Sequence, residues 1–243
     1  MKNNMKHIKL FESFEDVESI CKKYGITNYT INSDGSIDVD GNVNLSRKGL
    51  TKLPLKFGNV TGYFDCYNNQ LTALEGSPKE VGGDFYCDHN QLTSLKGGPD
   101  KLGGNFYCYN NQLTTLEGSP KEVGGYFDCN NNQLTTLEGS PKEVGGGFSC
   151  HHNQLTTLEG SPKEVGGNFY CYNNQLVSLK GGPAKLGGDF YCDNNKLPKL
   201  ILDNMKHIKK IVEYQDDYLI WRSSGALDEY KFNDMMEEIN DEI

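Results

Sequence analysis

Seven cysteines, Cys66, Cys87, Cys108, Cys129, Cys150, Cys171 and Cys192, each fall 21 residues after the last. The same phrase surrounds each of them, as in GGDFYCDHNQLTSLKGGPDKL. A fixed period of this length implies a solenoid, in which a unit buries its apolar side only against its neighbours. Five apolar side chains per unit are worth on the order of 10 kcal/mol gross, and ordering 21 residues costs at least about as much, so no unit folds alone. The hydrophobic share of only 36% suits a thin, one-dimensional core.

Within the unit, a Gly-Gly pair (Thr61-Gly62 in the first) permits a sharp turn, and a short alternating stretch follows. Phe64, Phe85, Phe106, Phe127, Phe148, Phe169 and Phe190 form one column, and the cysteines follow two residues later, on the same face of a strand. Next come Asn69 and its equivalents to Asn195, suited to bonding backbone groups that the turning chain leaves unpaired. Leu71 to Leu197, Leu74 to Leu200, and Val81 to Leu186 complete the inward set. Gly-Ser-Pro or Gly-Gly-Pro then forbids a regular helix, so the return path is expected to be turns and extended chain.

These columns resemble the leucine-rich repeat pattern LxxLxLxxNxL, with Phe and Cys in two of the Leu places and glycine at the first. The phrase NQLTSL is similar to the short repeats of bacterial secreted effectors. The tyrosine-rich unit with its Gly-Gly pair is similar to repeats in proteins encoded by large tailed bacteriophages. The resemblance runs from Asn42 to Leu200. It implies a solenoid with a short parallel sheet on its concave side, an irregular convex side, and a protein-binding role. A parallel β-helix is the alternative fold, disfavoured by one short strand per coil.

Four segments are expected: a helix-plus-hairpin cap over 1–41, a degenerate repeat over 42–61, seven repeats over 62–200, and a helical cap over 201–243. In the first, Ile8, Phe11, Phe14, Val17, Ile20 and Cys21 have helical spacing, with Ser13 as N-cap and Gly25 as stop. Tyr29, Ile31, Ile37 and Val39 flank a glycine-containing turn and read as a hairpin. Beyond the array, Met205, Ile208, Ile211, Val212, Leu219 and Trp221 fit one amphipathic helix. After a break at Ser223-Ser224-Gly225, Leu227, Phe232, Met235, Met236 and Ile239 fit another.

The cysteine column invites a metal or redox reading, but a 21-residue spacing without CxxC matches no zinc signature. Inward-facing thiols behave as small hydrophobes, and no cofactor or metal is expected. The information lies in the alternating, outward positions. In chain order these are Tyr63/Asp65/Tyr67, Asp84/Tyr86/Asp88, Asn105/Tyr107/Tyr109 and Tyr126/Asp128/Asn130. They continue as Gly147/Ser149/His151, Asn168/Tyr170/Tyr172 and Asp189/Tyr191/Asp193. None is lysine or arginine. Tyrosine gives large contact area at low entropy cost, and Asp and Asn give oriented acceptors, as in binding loops. In the unit of Gly147, Ser149, His151 and His152, small side chains predict a notch between Asp128 and Tyr170 or Tyr172. The paired histidines there predict sensitivity near pH 6.5.

The function expected is a non-enzymatic module that binds a protein through this concave face, with a host protein as target if the phage likeness extends to role. A structural or virion-associated spacer is the alternative. Ubiquitin-ligase effectors carry a catalytic cysteine domain after their repeats, whereas no cysteine follows Cys192 here. A net charge of −9 favours a basic or neutral partner and disfavours nucleic acid and anionic membranes. Without an apolar run after the basic Met1 to Lys9 stretch, the cytoplasm is the expected location.

Overall fold

A computed structural model of the chain describes residues 16–241. Helix α1 covers residues 16–24 and buries Val17 and Cys21. It stops where the sequence places a stop. Gly25 has φ +68°, its N–H bonds Lys22 O at 3.3 Å, and Ile26 N–H bonds Cys21 O at 2.8 Å, a Schellman closure. Ile8, Phe11, Ser13 and Phe14 lie outside the described residues. The hairpin follows as β1 (Tyr29–Ile31) and β2 (Ile37–Val39), antiparallel around the expected turn.

From there each coil contributes two short strands. They are β3 (Val43–Asn44), β4 (Phe57–Val60), β5 (Phe64–Asp65), β6 (Glu80–Val81), β7 (Phe85–Tyr86), β8 (Lys101–Leu102) and β9 (Phe106–Tyr107). The series continues with β10 (Glu122–Val123), β11 (Phe127–Asp128), β12 (Glu143–Val144), β13 (Phe148–Ser149) and β14 (Glu164–Val165). It ends with β15 (Phe169–Tyr170), β16 (Lys185–Leu186) and β17 (Phe190–Tyr191). Odd strands from β3 to β17 form an eight-stranded parallel sheet, here the tyrosine sheet. The even strands, with β1 at the edge, form a nine-stranded second sheet, the valine sheet. Every array pairing joins residues 21 apart, such as Phe127 with Phe148 and Val123 with Val144.

The architecture is therefore a solenoid with parallel sheets, as the period requires. The second sheet is an addition to the expected irregular return path. Val81 and its equivalents are buried on an extended chain whose flanking residues are exposed, and its backbone groups need partners. They find them in the adjacent coil, as Gly82 N–H does at Val60 O (2.9 Å). The coils approach closely here: a Cβ on Gly103 would sit 2.4 Å from Gly82 O. From Gly82 to Gly187 only glycine fits that column, which Thr61 heads.

Inside, the phenylalanines stack as a spine, with centroids 5.2–5.5 Å apart from Phe64 to Phe190. Beside them the seven array cysteines are buried and free, as is Cys21 on α1. The Sγ of Cys129 donates to Ser149 O of the next coil at 3.2 Å. Burial pushes each array thiol above its ordinary pKa, up to about 12 at Cys192.

The asparagine column forms a ladder. Asn132 Nδ2 donates to Cys108 O (3.1 Å), Cys129 O (3.0 Å) and Asn130 O (3.1 Å). Its Oδ1 accepts the Leu113 N–H at 3.0 Å. The residue before each of these asparagines has left-handed backbone: Asn68, His89, Asn110, Asn131, His152, Asn173 and Asn194 have φ of 51–54°. That column admits Asn and His because their short polar side chains tolerate this region.

After the last coil come α2 (Lys199–Leu202), a 3₁₀ turn at Met205–His207, α3 (Ile208–Tyr214) and α4 (Glu229–Asp241). Ile208, Ile211, Val212, Phe232, Met235, Met236 and Ile239 join the same hydrophobic cluster as the coils. The expected helix through Leu219 and Trp221 is shorter. Leu219 sits in the left-handed region at φ 51°, and Trp221 pairs in an isolated bridge with Leu227. A buried bond from Trp221 Nε1 to Gln215 Oε1 (2.6 Å) holds the chain folded back at that point.

Candidate functional site

On the tyrosine sheet the residues alternating with Phe and Cys point away from the core, as the register requires. Tyr63, Asp65, Tyr67, Asp84, Tyr86, Tyr107, Tyr109, Tyr126, Asp128, His151, Tyr170 and Tyr172 are half-buried, and Tyr191 is exposed. Asp88 alone of the fourteen candidates is buried.

Their spacing of one strand lets like side chains stack. Tyr86 and Tyr107 lie parallel with centroids 5.0 Å apart, and so do Tyr170 and Tyr191. Between these stacks lie Asp128 and Ser149 in the same column. In the neighbouring column the His89 ring is wedged edge-on between Tyr67 (5.1 Å) and Tyr109 (5.2 Å), and His151 packs on Tyr172 at 4.3 Å.

The carboxylates are oriented by the array itself. Asp84 Oδ2 accepts the Tyr86 hydroxyl (2.7 Å), and its Oδ1 accepts Asn105 N–H (2.7 Å). Asp65 Oδ1 accepts Tyr67 N–H at 2.9 Å. Asp88 Oδ2 accepts from His89 Nδ1 at 2.9 Å, while His89 Nε2 accepts from Asn110 at 3.0 Å. Burial raises the pKa of Asp88 and of Asp128. Burial, and then nearby carboxylates, raise those of Tyr86, Tyr107 and Tyr109. The face thus offers neutral hydroxyl donors in an acidic setting at ordinary pH.

The notch expected at Gly147 is closed. Tyr126 leans over the glycine, where a Cβ would meet its Cε2 at 2.7 Å, and Ser149 is only 1% exposed. Ser149 bonds Tyr126 and Asp128, with His151 Nδ1 at 3.4 Å. The order is carboxylate, serine, histidine, whereas an activated nucleophile needs the imidazole in the middle. The expected sensitivity near pH 6.5 is also displaced at His151: burial, then His152, lowers its pKa to about 4. Among the described residues, no cluster of three His, Cys, Asp or Glu side chains could hold a metal ion.

Two surface grooves open elsewhere, over the valine sheet. One of about 970 Å³ is lined by Val81, Leu102, Glu80, Lys101 and Lys121, and one of about 660 Å³ continues to Leu186 and Glu213. Neither is lined by any of the fourteen candidates. Sequence reasoning missed them because each strand shows a single apolar residue beside glycine. Their charged rims pair along the stack, as Lys101 does with Glu80 at 2.8 Å, in exposed bridges of small energetic weight.

Phe, Cys, Asn and Leu columns around short parallel strands make a parallel-stranded solenoid whose repeats resemble the leucine-rich type. No family profile matches the chain, and no curated protein matches it. Among solved structures, the chain is similar to YopM, a leucine-rich effector protein from Yersinia pestis, at 20% identity and TM-score 0.38. That likeness covers 64% of this chain and 50% of the other. It is also similar to YopM from Yersinia enterocolitica WA-314, at 17% identity and TM-score 0.36, over 63% and 47% of the two chains. The chain spans about half the length of both. Among the described residues no helix is long and apolar enough to cross a membrane.

Proposed function

We propose that this chain is a non-enzymatic binding module whose tyrosine face takes a protein partner with a basic or neutral surface. One observation carries the reading. Coil after coil repeats the same buried residues, while the outward positions differ and combine two tyrosine stacks with oriented carboxylates. Rigid aromatic area is inexpensive to order on binding, and each stack is already in place. The absence of lysine and arginine from the 21 outward positions gives the face one sign, so association weakens as salt rises. The resemblance to phage-encoded repeats makes a host-cell protein the first partner to seek.

The test is co-purification from the natural host with the wild-type chain and with Tyr107→Ala/Tyr170→Ala/Tyr172→Ala. Loss of at least about tenfold in affinity is expected, given the usual weight of buried tyrosine anchors, with the circular dichroism spectrum retained. Undiminished binding of an identified partner overturns the face assignment. Recovery of virion proteins alone favours the spacer.

A further inference from the structure

The two sheets end differently at the carboxy-terminal end of the array. The valine sheet is closed there: α3 packs on β16, and the Leu186 N–H donates to Glu213 Oε1 at 3.1 Å. The tyrosine sheet is not. In each earlier coil the Phe and Cys N–H groups donate into the next coil, as Phe169 does to Asp189 O (2.9 Å) and Cys171 to Tyr191 O (2.8 Å). Strand β17 is the edge of that sheet. Among the described residues, no backbone acceptor meets the equivalent N–H groups of Phe190, Cys192 and Asn194.

A side-chain acceptor waits beside them. Where the first outward position is Asp or Asn, its Oδ1 takes a backbone N–H of the following coil. Asp84 does so for Asn105 (2.7 Å), Asn105 for Tyr126 (2.6 Å) and Asn168 for Asp189 (2.8 Å). Asp189 repeats the Asp84 arrangement, with its Oδ2 accepting the Tyr191 hydroxyl at 3.2 Å. For its Oδ1 there is no following coil. Tyr191 stacks on Tyr170 through one face and is 38% exposed.

We propose that this edge docks one extended, basic peptide segment of a protein partner, paired parallel to β17 as the ninth strand of the tyrosine sheet. Strand addition draws its affinity from such main-chain bonds and its specificity from alternate side chains. Outward positions of the segment lie alongside Asp189, Tyr191 and Asp193, which select lysine or arginine, a flat side chain, and lysine or arginine. Inward positions lie over Phe190 and Cys192, already covered at 5% and 1% exposure, and must be small. A second copy of this chain does not fit. Strand β2 shares a rung with β3, and β1 lies one rung beyond β2, so a copy stacked with its β3 on β17 would put its β2 where α3 packs and its β1 onto β16 itself.

The probe is the acetylated and amidated peptide Arg-Ala-Tyr-Ala-Arg, added to the full chain while backbone amide exchange is followed by NMR. Expected is at least tenfold slower exchange at Phe190, Cys192 and Asn194 at saturation, with Phe169 and Cys171 unchanged. Asp189→Ala, an exposed substitution, should weaken the peptide about tenfold, and a central proline in the peptide should abolish binding. The proposal is overturned by no binding at millimolar peptide, by binding that leaves those three amides unchanged, or by their full protection in the free chain. Concentration-dependent growth of the chain in sedimentation, without peptide, overturns it in favour of a second copy. Tyr107→Ala should leave peptide binding intact, so failure here and failure of the tyrosine-face reading are separable.

Discussion

Replacing Asn132 by alanine tests what holds one coil to the next. The side chain is buried and satisfies backbone groups on two coils: it accepts the Leu113 N–H at 3.0 Å and donates to Cys108 O at 3.1 Å. Alanine fills less space and leaves the Leu113 N–H without a partner, while Cys108 O keeps its bond from Asn111 Nδ2 at 3.1 Å. An unsatisfied buried group costs about 1–3 kcal/mol, so the substitution should destabilise by about that much. Urea unfolding followed by circular dichroism measures the loss. Because the break falls mid-array, the two halves should lose coupling, and the transition should broaden with a lower slope. Thr135→Ala, at an exposed position three residues further along the same coil, is the control and should change stability by less than about 0.5 kcal/mol. A loss at Asn132 below about 1 kcal/mol, or an unchanged slope, would refute the ladder as the inter-coil tie.

The array thiols should be inert to a disulfide reagent in the native state at pH 8 and react only at the unfolding rate, since burial raises their pKa values; fast native reaction would contradict their packing role. Gly103→Ala should cost more than Gly147→Ala. The first places a Cβ 2.4 Å from a fixed carbonyl oxygen and the second meets a tyrosine ring that can swing away; equal losses in thermal unfolding would show that the coils are not tightly spaced. His151 should titrate near pH 4 by NMR. Its folded pKa lies below the unfolded value of about 6.5, so the native state binds fewer protons there, and its share of stability is lost as pH falls from 6.5 toward 4. A His151→Gln chain lacks that share of the loss, and identical acid profiles would contradict the burial of the ring.

The buried columns were legible because each coil repeats the same demand: Phe127 must stack on Phe106 and Phe148, and Asn132 must serve the turn. The valine sheet was not, because Glu122–Val123 shows one apolar side chain and its pairing is carried by backbone. Outward positions were placed correctly by alternation alone, but their packing was not. Composition at Gly147 implied a gap, whereas Tyr126 turns over it in the folded array. Asp88 likewise reads as a surface acceptor, yet its neighbours bury it. The left-handed column was within reach, since Asn68, His89, Asn110 and Asn131 belong to the few residue types tolerated there. The end of α3 depended on a contact between Gln215 and Trp221 that helical periodicity does not encode.

The most direct test of the tyrosine-face assignment is photo-crosslinking in the natural host, with p-benzoylphenylalanine in place of Tyr107 or Tyr170 on that face, or of Glu122 on the valine sheet. A discrete protein adduct from the first two positions and none from Glu122 is the expected result. An adduct from Glu122 alone would move the binding surface to the valine-sheet grooves and contradict the account.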